Sequence, residues 1–222
     1  MNSTAATHHV IAIDGPAASG KSSVAQSLAQ RLGYAYVNSG AMYRAVTWHA
    51  LERGVALSDR DALSRLIESA PIVWRLANNE SQIEIDGTDP TEYLRTDRVN
   101  EGVSRVSSVP RVREILVNQM RAFARDHDLV MEGRDIGSVV FPHTPFKFYI
   151  DASPEVRLQR RNAQGQRDQI ADRDRADSSR STSPLVVAPD AEVIDSSHLT
   201  IDGVVDQIIH SLRRKGLVCA VR

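Results

Sequence analysis

An open α/β fold, built on a parallel sheet flanked by helices, is what these 222 residues predict, and three observations carry that reading. Short apolar runs at 10–13, 129–131 and 146–150 alternate with segments of helical periodicity, the pattern of buried parallel strands joined by crossover helices. One strand-to-helix junction carries Gly15-Pro16-Ala17-Ala18-Ser19-Gly20-Lys21-Ser22, which fits the phosphate-binding loop G-x-x-x-x-G-K-[ST]. A single pair of β-rich runs, at 72–76 and 82–86 around Asn78-Asn79, breaks the alternation and reads as an inserted antiparallel hairpin.

Taken in order, Val10-Ile11-Ala12-Ile13 is a β-branched run suited to a buried strand. After the glycine loop, Val24, Leu28 and Leu32 recur at helical spacing up to Gly33, a natural stop. Residues 34–37 predict a second strand, and Ser39 is placed to cap a helix over 41–53 ended by Gly54. A short helix is expected over 59–69, then the hairpin, then helices over 97–106 and 111–125, the latter behind Pro110. The run 129–131 is a strand leading into Glu132-Gly133-Arg134-Asp135. After a strand at 146–150, Ser153-Pro154-Glu155 opens a helix carrying Arg157, Arg160 and Arg161. Residues 162–184 are almost wholly polar, so nothing is expected to hold them down. A last strand at 191–195 and an amphipathic helix over 201–214 close the fold.

Composition limits the functional classes. A net charge of −1 provides no global field for nucleic acid or membrane. The first nine residues lack a signal-peptide core, and no run approaches the roughly 18–20 apolar residues of a membrane span. Cys219 is the only cysteine, which excludes an internal disulfide and suits a reducing compartment. These readings predict a soluble cytoplasmic protein, a monomer with small-molecule partners and neither nucleic-acid nor membrane ligands. Lysine occurs only at positions 21, 147 and 215, so arginine dominates the cations; its planar fork suits phosphate.

The loop itself assigns roles. Backbone N–H groups of residues 15–23 can wrap a polyphosphate at a helix N-terminus, Lys21 reaching its outer phosphates and the Ser22 hydroxyl holding Mg²⁺. Gly15, Pro16, Ala17, Ala18, Ser19, Gly20, Lys21, Ser22 and Ser23 are therefore the candidate ATP site. Glu132, ending an apolar run, is the nearest equivalent of a Walker-B acid and a candidate to act on Mg²⁺ through water. No Asn-Lys-x-Asp or Leu-Ser-Gly-Gly-Gln stretch appears, which disfavours guanine-reading switches and transporter ATPases. Arg44 and Arg134-Asp135 sit at strand ends, where open α/β sheets bind ligands. A kinase with two phosphorylated substrates fits; another small-molecule kinase of uridylate or shikimate type, or a non-catalytic ATP-binding protein, remain the alternatives.

Five segments in order, 15–23, Asn38-Ser-Gly-Ala-Met-Tyr-Arg44, Pro110-Arg-Val-Arg113, Glu132-Gly-Arg-Asp-Ile-Gly137 and Arg173-Asp-x-x-Asp-x-x-Arg180, resemble the bacterial cytidylate kinase family across residues 10–214. The resemblance implies a five-stranded parallel core (9–57, 126–155 and 185–214). It also implies a monophosphate-binding insertion (58–125) bearing a small antiparallel sheet, and a short Arg-rich lid (156–184). It implies phosphoryl transfer from ATP to CMP or dCMP with Mg²⁺. Ser104, Arg113 and Asp135 would then read cytosine, Arg44, Arg134 and Arg173 would hold the CMP phosphate, Asp177 the sugar, and Ser39 would join that site. Lys21, Arg157, Arg161 and Arg180 would neutralise the transferring group, while Arg160 and Arg175 are read as solvated. Two departures from the family pattern stand out: Asn38 replaces the usual Asp, and the stretch between Arg161 and Arg173 is short.

Lys21→Ala is expected to abolish phosphoryl transfer with the fold intact. Near-normal turnover by a folded variant would remove the loop from the active site.

Overall fold

The computed structural model describes residues 8–163, 170–180 and 183–217, with residues 170–173 described by their backbone alone. Its strands are β1 (Val10–Asp14), β2 (Ala35–Asn38), β3 (Ile72–Ala77), β4 (Glu80–Ile85), β5 (Leu129–Gly133), β6 (Phe146–Asp151) and β7 (Glu192–Asp195). They form one seven-stranded sheet in the order β3-β4-β2-β5-β1-β6-β7. From β2 to β7 every pairing is parallel. β2, β5, β1, β6 and β7 are the five parallel strands expected, and the antiparallel insert is the β3–β4 hairpin, which lies at the edge of the same sheet. The β3–β4 hairpin turns on Asn78 and Asn79, both at positive φ, and β4 joins β2 through the single pair Tyr36↔Glu80. Asparagine tolerates that left-handed geometry, and the primed turn it makes matches strand twist. The hairpin was legible; its docking on the main sheet is set by long-range contacts, with Tyr36 N donating to Asn79 O at 2.7 Å, Gln26 Nε2 to Glu80 Oε1 at 2.8 Å, and Ile83 and Ile85 packing into the core.

The helices are α1 (Lys21–Leu32), α2 (Ser39–Glu52), α3 (Arg60–Ser69), α4 (Asp97–Val106), α5 (Pro110–Phe123), α6 (Pro154–Ala163), α7 (Ile170–Ser178) and α8 (Ile201–Arg214). Strand side chains alternate between the two faces of the sheet and separate two cores. Ile11, Ile13 and Val130 face α1 and α8, meeting Val24, Leu28, Ile208 and Leu212. Ala12, Leu129 and Met131 face the opposite core, with Met42 and Val46 of α2, Leu63 of α3, Val103 of α4 and Leu116 of α5. Residues from the proposed insertion therefore complete the second core. Among the described residues no helix is long and apolar enough to cross a membrane.

Two local rules needed correction at the start of α2. Asn38, not Ser39, is the cap: its Oδ1 accepts from Ala41 N at 2.9 Å. Ser39 is the first helical residue, and its hydroxyl donates to Glu132 O at 2.8 Å, tying α2 to β5. Asparagine and serine are near-equal caps, so tertiary contact decides between them.

α4 lies close against α2 because Gly102 has no side chain. A Cβ there would sit 2.4 Å from Leu57 Cδ1 and 2.9 Å from Thr47 Cγ2. Gly102→Val is expected to destabilise the protein by about 1–3 kcal/mol, through overpacking. Urea unfolding checks this; an unchanged midpoint would mean that the helices separate freely.

Candidate active site

The parallel strands end side by side, and their carboxyl ends bring the motif segments together. β1 runs into the loop, whose Gly20 caps α1 at φ 88, while Ala18 also has positive φ (58). Gly15 is forced by close approach: a Cβ would lie 2.1 Å from Ile150 O. Lys21 is buried and its Nζ donates to Pro16 O at 3.0 Å, curling over the loop. Ser22 Oγ donates directly to Glu132 Oε1 at 2.8 Å, so the hydroxyl expected to hold Mg²⁺ and the carboxylate expected to act on it through water already touch. Asn38 Nδ2 donates to Tyr36 Oη at 3.2 Å, and Tyr36 Oη lies 3.4 Å from the same Glu132 oxygen.

A cavity of about 650 Å³ opens beside the loop. Ala17, Ala18, Gly20, Lys21, Ser22 and Ser23 line one end; Ser39, Arg44, Ser104, Arg113, Arg134, Asp135, Arg161, Asp177 and Arg180 line other parts, together with residues the sequence did not single out, among them Tyr43, Glu80, Gln82, Arg95 and Asn100. Most of the expected site residues thus converge, from segments more than 150 positions apart. Gly15, Pro16, Ser19 and Arg157 do not line it. The side chain of Arg173 falls outside the described residues. A second cavity, about 730 Å³, lies at the other end of β1 among His8, His9, Arg121 and His143. It contains none of the motif residues and is set aside as the site.

Charges in the first cavity are arranged in pairs. Arg113 and Asp135 form a buried ion pair, with Arg113 also donating to Ser107 O at 3.2 Å and lying 5.4 Å from the Tyr43 ring. Burial raises the Asp135 pKa, opposed by Arg113 and Arg180. Asp177 is buried and accepts from Arg180, from Arg134 Nε at 2.9 Å and from Ser104 Oγ at 3.4 Å. Burial alone would raise its pKa, but Arg134 and Arg180 outweigh burial and hold it below the usual carboxylate range. Arg44 Nε meets Asn100 Oδ1 at 3.4 Å. The Tyr43 hydroxyl and Arg180 Nε are buried with no hydrogen-bond partner among the described residues. Such groups are costly unless a ligand satisfies them.

Several functional features were not expected from the sequence. Of the stretch 162–184 read as unrestrained, residues 164–169 and 181–182 lie outside the described residues, while α7 is held down: Asp174 Oδ1 accepts from Ala17 N in the loop at 3.0 Å, and its other oxygen pairs with Arg157. With Asp177, this anchors α7 through ion pairs where no apolar face exists. Arg157 donates to Ala17 O at 3.2 Å and so grips the loop from outside the cavity. Arg160 is not solvated. It donates to Ser19 O at 3.2 Å and to Ser196 O at 2.7 Å, clasping the loop to the chain after β7. Arg175 is exposed, as expected. Asp14 is also buried, accepting from two backbone amides after Asp135, and burial pushes its carboxyl up to about 7. Its position one residue before the loop was the only available signal.

Residues 11–214 match the family model described as Cytidylate kinase. The chain is 44% identical over 211 residues to a cytidylate kinase of Pelotomaculum thermopropionicum, spanning 90% of this chain and 93% of that protein. It is 43% identical over 211 residues to one from Nocardia farcinica, spanning 90% and 91%. Among solved structures, the tunicamycin resistance protein of Deinococcus radiodurans is similar, with a TM-score of 0.50 at 17% identity over 97% of this chain and 99% of that one. That likeness concerns the fold alone.

If carboxylates anchor α7, Asp174→Ala should speed amide exchange across 174–180 about tenfold, in line with loss of about 1.4 kcal/mol from a charged hydrogen bond. Exchange in β1 should not change. Unaltered exchange in α7 would assign its docking to something else.

Proposed function

The chain belongs to the cytidylate kinase family, and we propose that it transfers a phosphoryl group from ATP to CMP or dCMP, giving ADP and CDP or dCDP. The observation that carries the proposal is a single cavity with a phosphate-binding loop at one end and a buried Arg113–Asp135 pair at the other. Cytosine presents an amino donor where uracil presents an oxygen acceptor. Asp135 accepts from that amine, and Arg113 supplies donors to the neighbouring ring acceptors; uracil would leave Asp135 facing an acceptor. Ser104 lies beside them. Arg44, Arg134 and Arg173 hold the monophosphate, with Ser39 at the edge of that site, and Asp177 takes the sugar hydroxyl.

On the ATP side, loop amides of residues 15–23 and Lys21 hold the outer phosphates. The residues present fit Mg²⁺: the Ser22 hydroxyl and Glu132 carboxylate are hard oxygen donors already in contact. When bound, the ion neutralises charge on the phosphate oxygens. Lys21, Arg161 and Arg180 face the space between the two substrates and stabilise the transferring group; Arg157 acts by fixing the loop and Asp174. The acceptor oxygen of a monophosphate is already anionic, so no catalytic base is required. Catalysis is positioning and electrostatics with water excluded. Residues 156–184 serve as the lid that excludes it, 58–125 as the monophosphate-binding region, and the remainder as the core.

Coupled measurement of ADP release with CMP, dCMP, UMP and AMP tests the reaction. CMP and dCMP should turn over far faster than AMP or UMP; indifference to the base would overturn the proposal. Asp135→Asn should cost about 1–3 kcal/mol in kcat/KM for CMP and less for UMP. Because that change also breaks a buried pair, thermal melting must accompany it. Equal losses on both nucleotides would remove Asp135 from base reading.

A further inference from the structure

β1 ends at Asp14, one residue before the phosphate-binding loop, yet its side chain turns away from the loop towards the segment following β5. Its Oδ1 accepts from Ile136 N at 2.8 Å and its Oδ2 from Gly137 N at 2.7 Å. Only 5% of Asp14 is exposed. These two amides open the π-helical turn Ile136–Val140, whose preceding residue is Asp135. Asp135 makes no side-chain cap of its own, because its carboxylate is paired with Arg113. Asp14 therefore does the capping from another strand. The same junction is fastened again, where Arg134 Nη1 donates to Gly15 O at 3.0 Å.

Burying a carboxylate is costly, and an apolar residue here would avoid that cost. It would, however, leave two buried amides unsatisfied and free the turn to rotate. A carboxylate with two charge-assisted bonds fixes both amides, and so the backbone of the residue immediately before them. Space on the far side is restricted too: a Cβ on Gly137 would lie 3.2 Å from the Lys147 side chain and 3.4 Å from Asp14 Oδ2.

We propose that Asp14 is a positioning residue for base selection: by holding the Ile136 and Gly137 amides it sets the angle at which Asp135 meets the cytosine ring, in fixed register with the ATP loop. The inference rests on the reading of Asp135 given above. Asp14 touches neither substrate. Its effect passes through the turn, so disturbing it should alter which base is accepted more than whether the protein folds.

Asp14→Asn preserves size but turns an amino group towards one of the two amides it must satisfy. The wild type, Asp14→Asn, Asp135→Asn and the double variant should be assayed with CMP and UMP, with folding checked by circular dichroism. Asp14→Asn should lower the CMP-to-UMP preference in kcat/KM by between about ten- and a hundredfold, the scale of a misplaced binding group. The double variant should be no less selective than Asp135→Asn alone, because both act through one contact. If Asp14→Asn does not fold, Asp14→Ser, which is too short to bond both amides, should reproduce the loss of preference. A folded variant that loses CMP and UMP activity equally overturns the inference. When that happens while Asp135→Asn still alters preference, Asp14 alone is misassigned; when neither alters it, the base-reading assignment of Asp135 is wrong.

Discussion

Everything at the carboxyl ends of the strands depends on pairing buried arginine with buried aspartate. Arg44, Arg113, Arg134, Arg161 and Arg180 line one cavity. So many cations together would repel one another strongly in a site shielded from water. Asp135 and Asp177 intervene, and each is paired with arginine. Such pairs bring little net stability, since desolvation opposes the attraction. Their value is in geometry: they hold guanidinium groups in fixed places while leaving some donors unsatisfied, as at Arg180 Nε. A phosphate entering the cavity then meets preorganised donors.

The sheet makes this arrangement possible. Its two hydrophobic cores lie on opposite faces, so the strand ends are left for polar groups. Asp14 and Glu132, on neighbouring strands β1 and β5, are buried in that rim and anchor it. Glu132 receives Ser22 from the loop; its backbone receives Ser39 from α2. Asp14 receives the turn after Asp135. The phosphate-binding loop and the turn carrying Arg134 and Asp135 are thus braced on the same two strands. The Asn38 departure fits this network: its amide caps α2 with its oxygen and reaches Tyr36 with its nitrogen, a donor that an aspartate lacks.

α7 follows a different rule. It lacks an apolar face, and its docking relies on Asp174 and Asp177 meeting groups expected to bind phosphate, including the Ala17 amide. A carboxylate and a phosphate oxygen make the same demands on an N–H or guanidinium donor. The contacts that hold α7 in place are therefore of the kind that a phosphate group would also make.

How much was legible follows from the range of the forces involved. Strands, helices and the Asn78-Asn79 hairpin were readable because periodicity and turn geometry are local; Asp97–Val106 and Ile201–Arg214 begin and end where their patterns do. The loop and the strand-end arginines were readable because phosphate chemistry demands particular residue types at fixed spacing. The sequence by itself thus determined the α/β class, the loop and the strand-end arginines. Only tertiary structure decided that the hairpin extends the main sheet, that Asn38 rather than Ser39 caps α2, and that Arg160 clasps the loop. It also decided that α7 is anchored and that Asp14 braces the turn beside Asp135. Each of these turns on which donor lies within about 3 Å of which acceptor across many residues of chain. That proximity is fixed only when the two hydrophobic cores close and set the strand ends side by side.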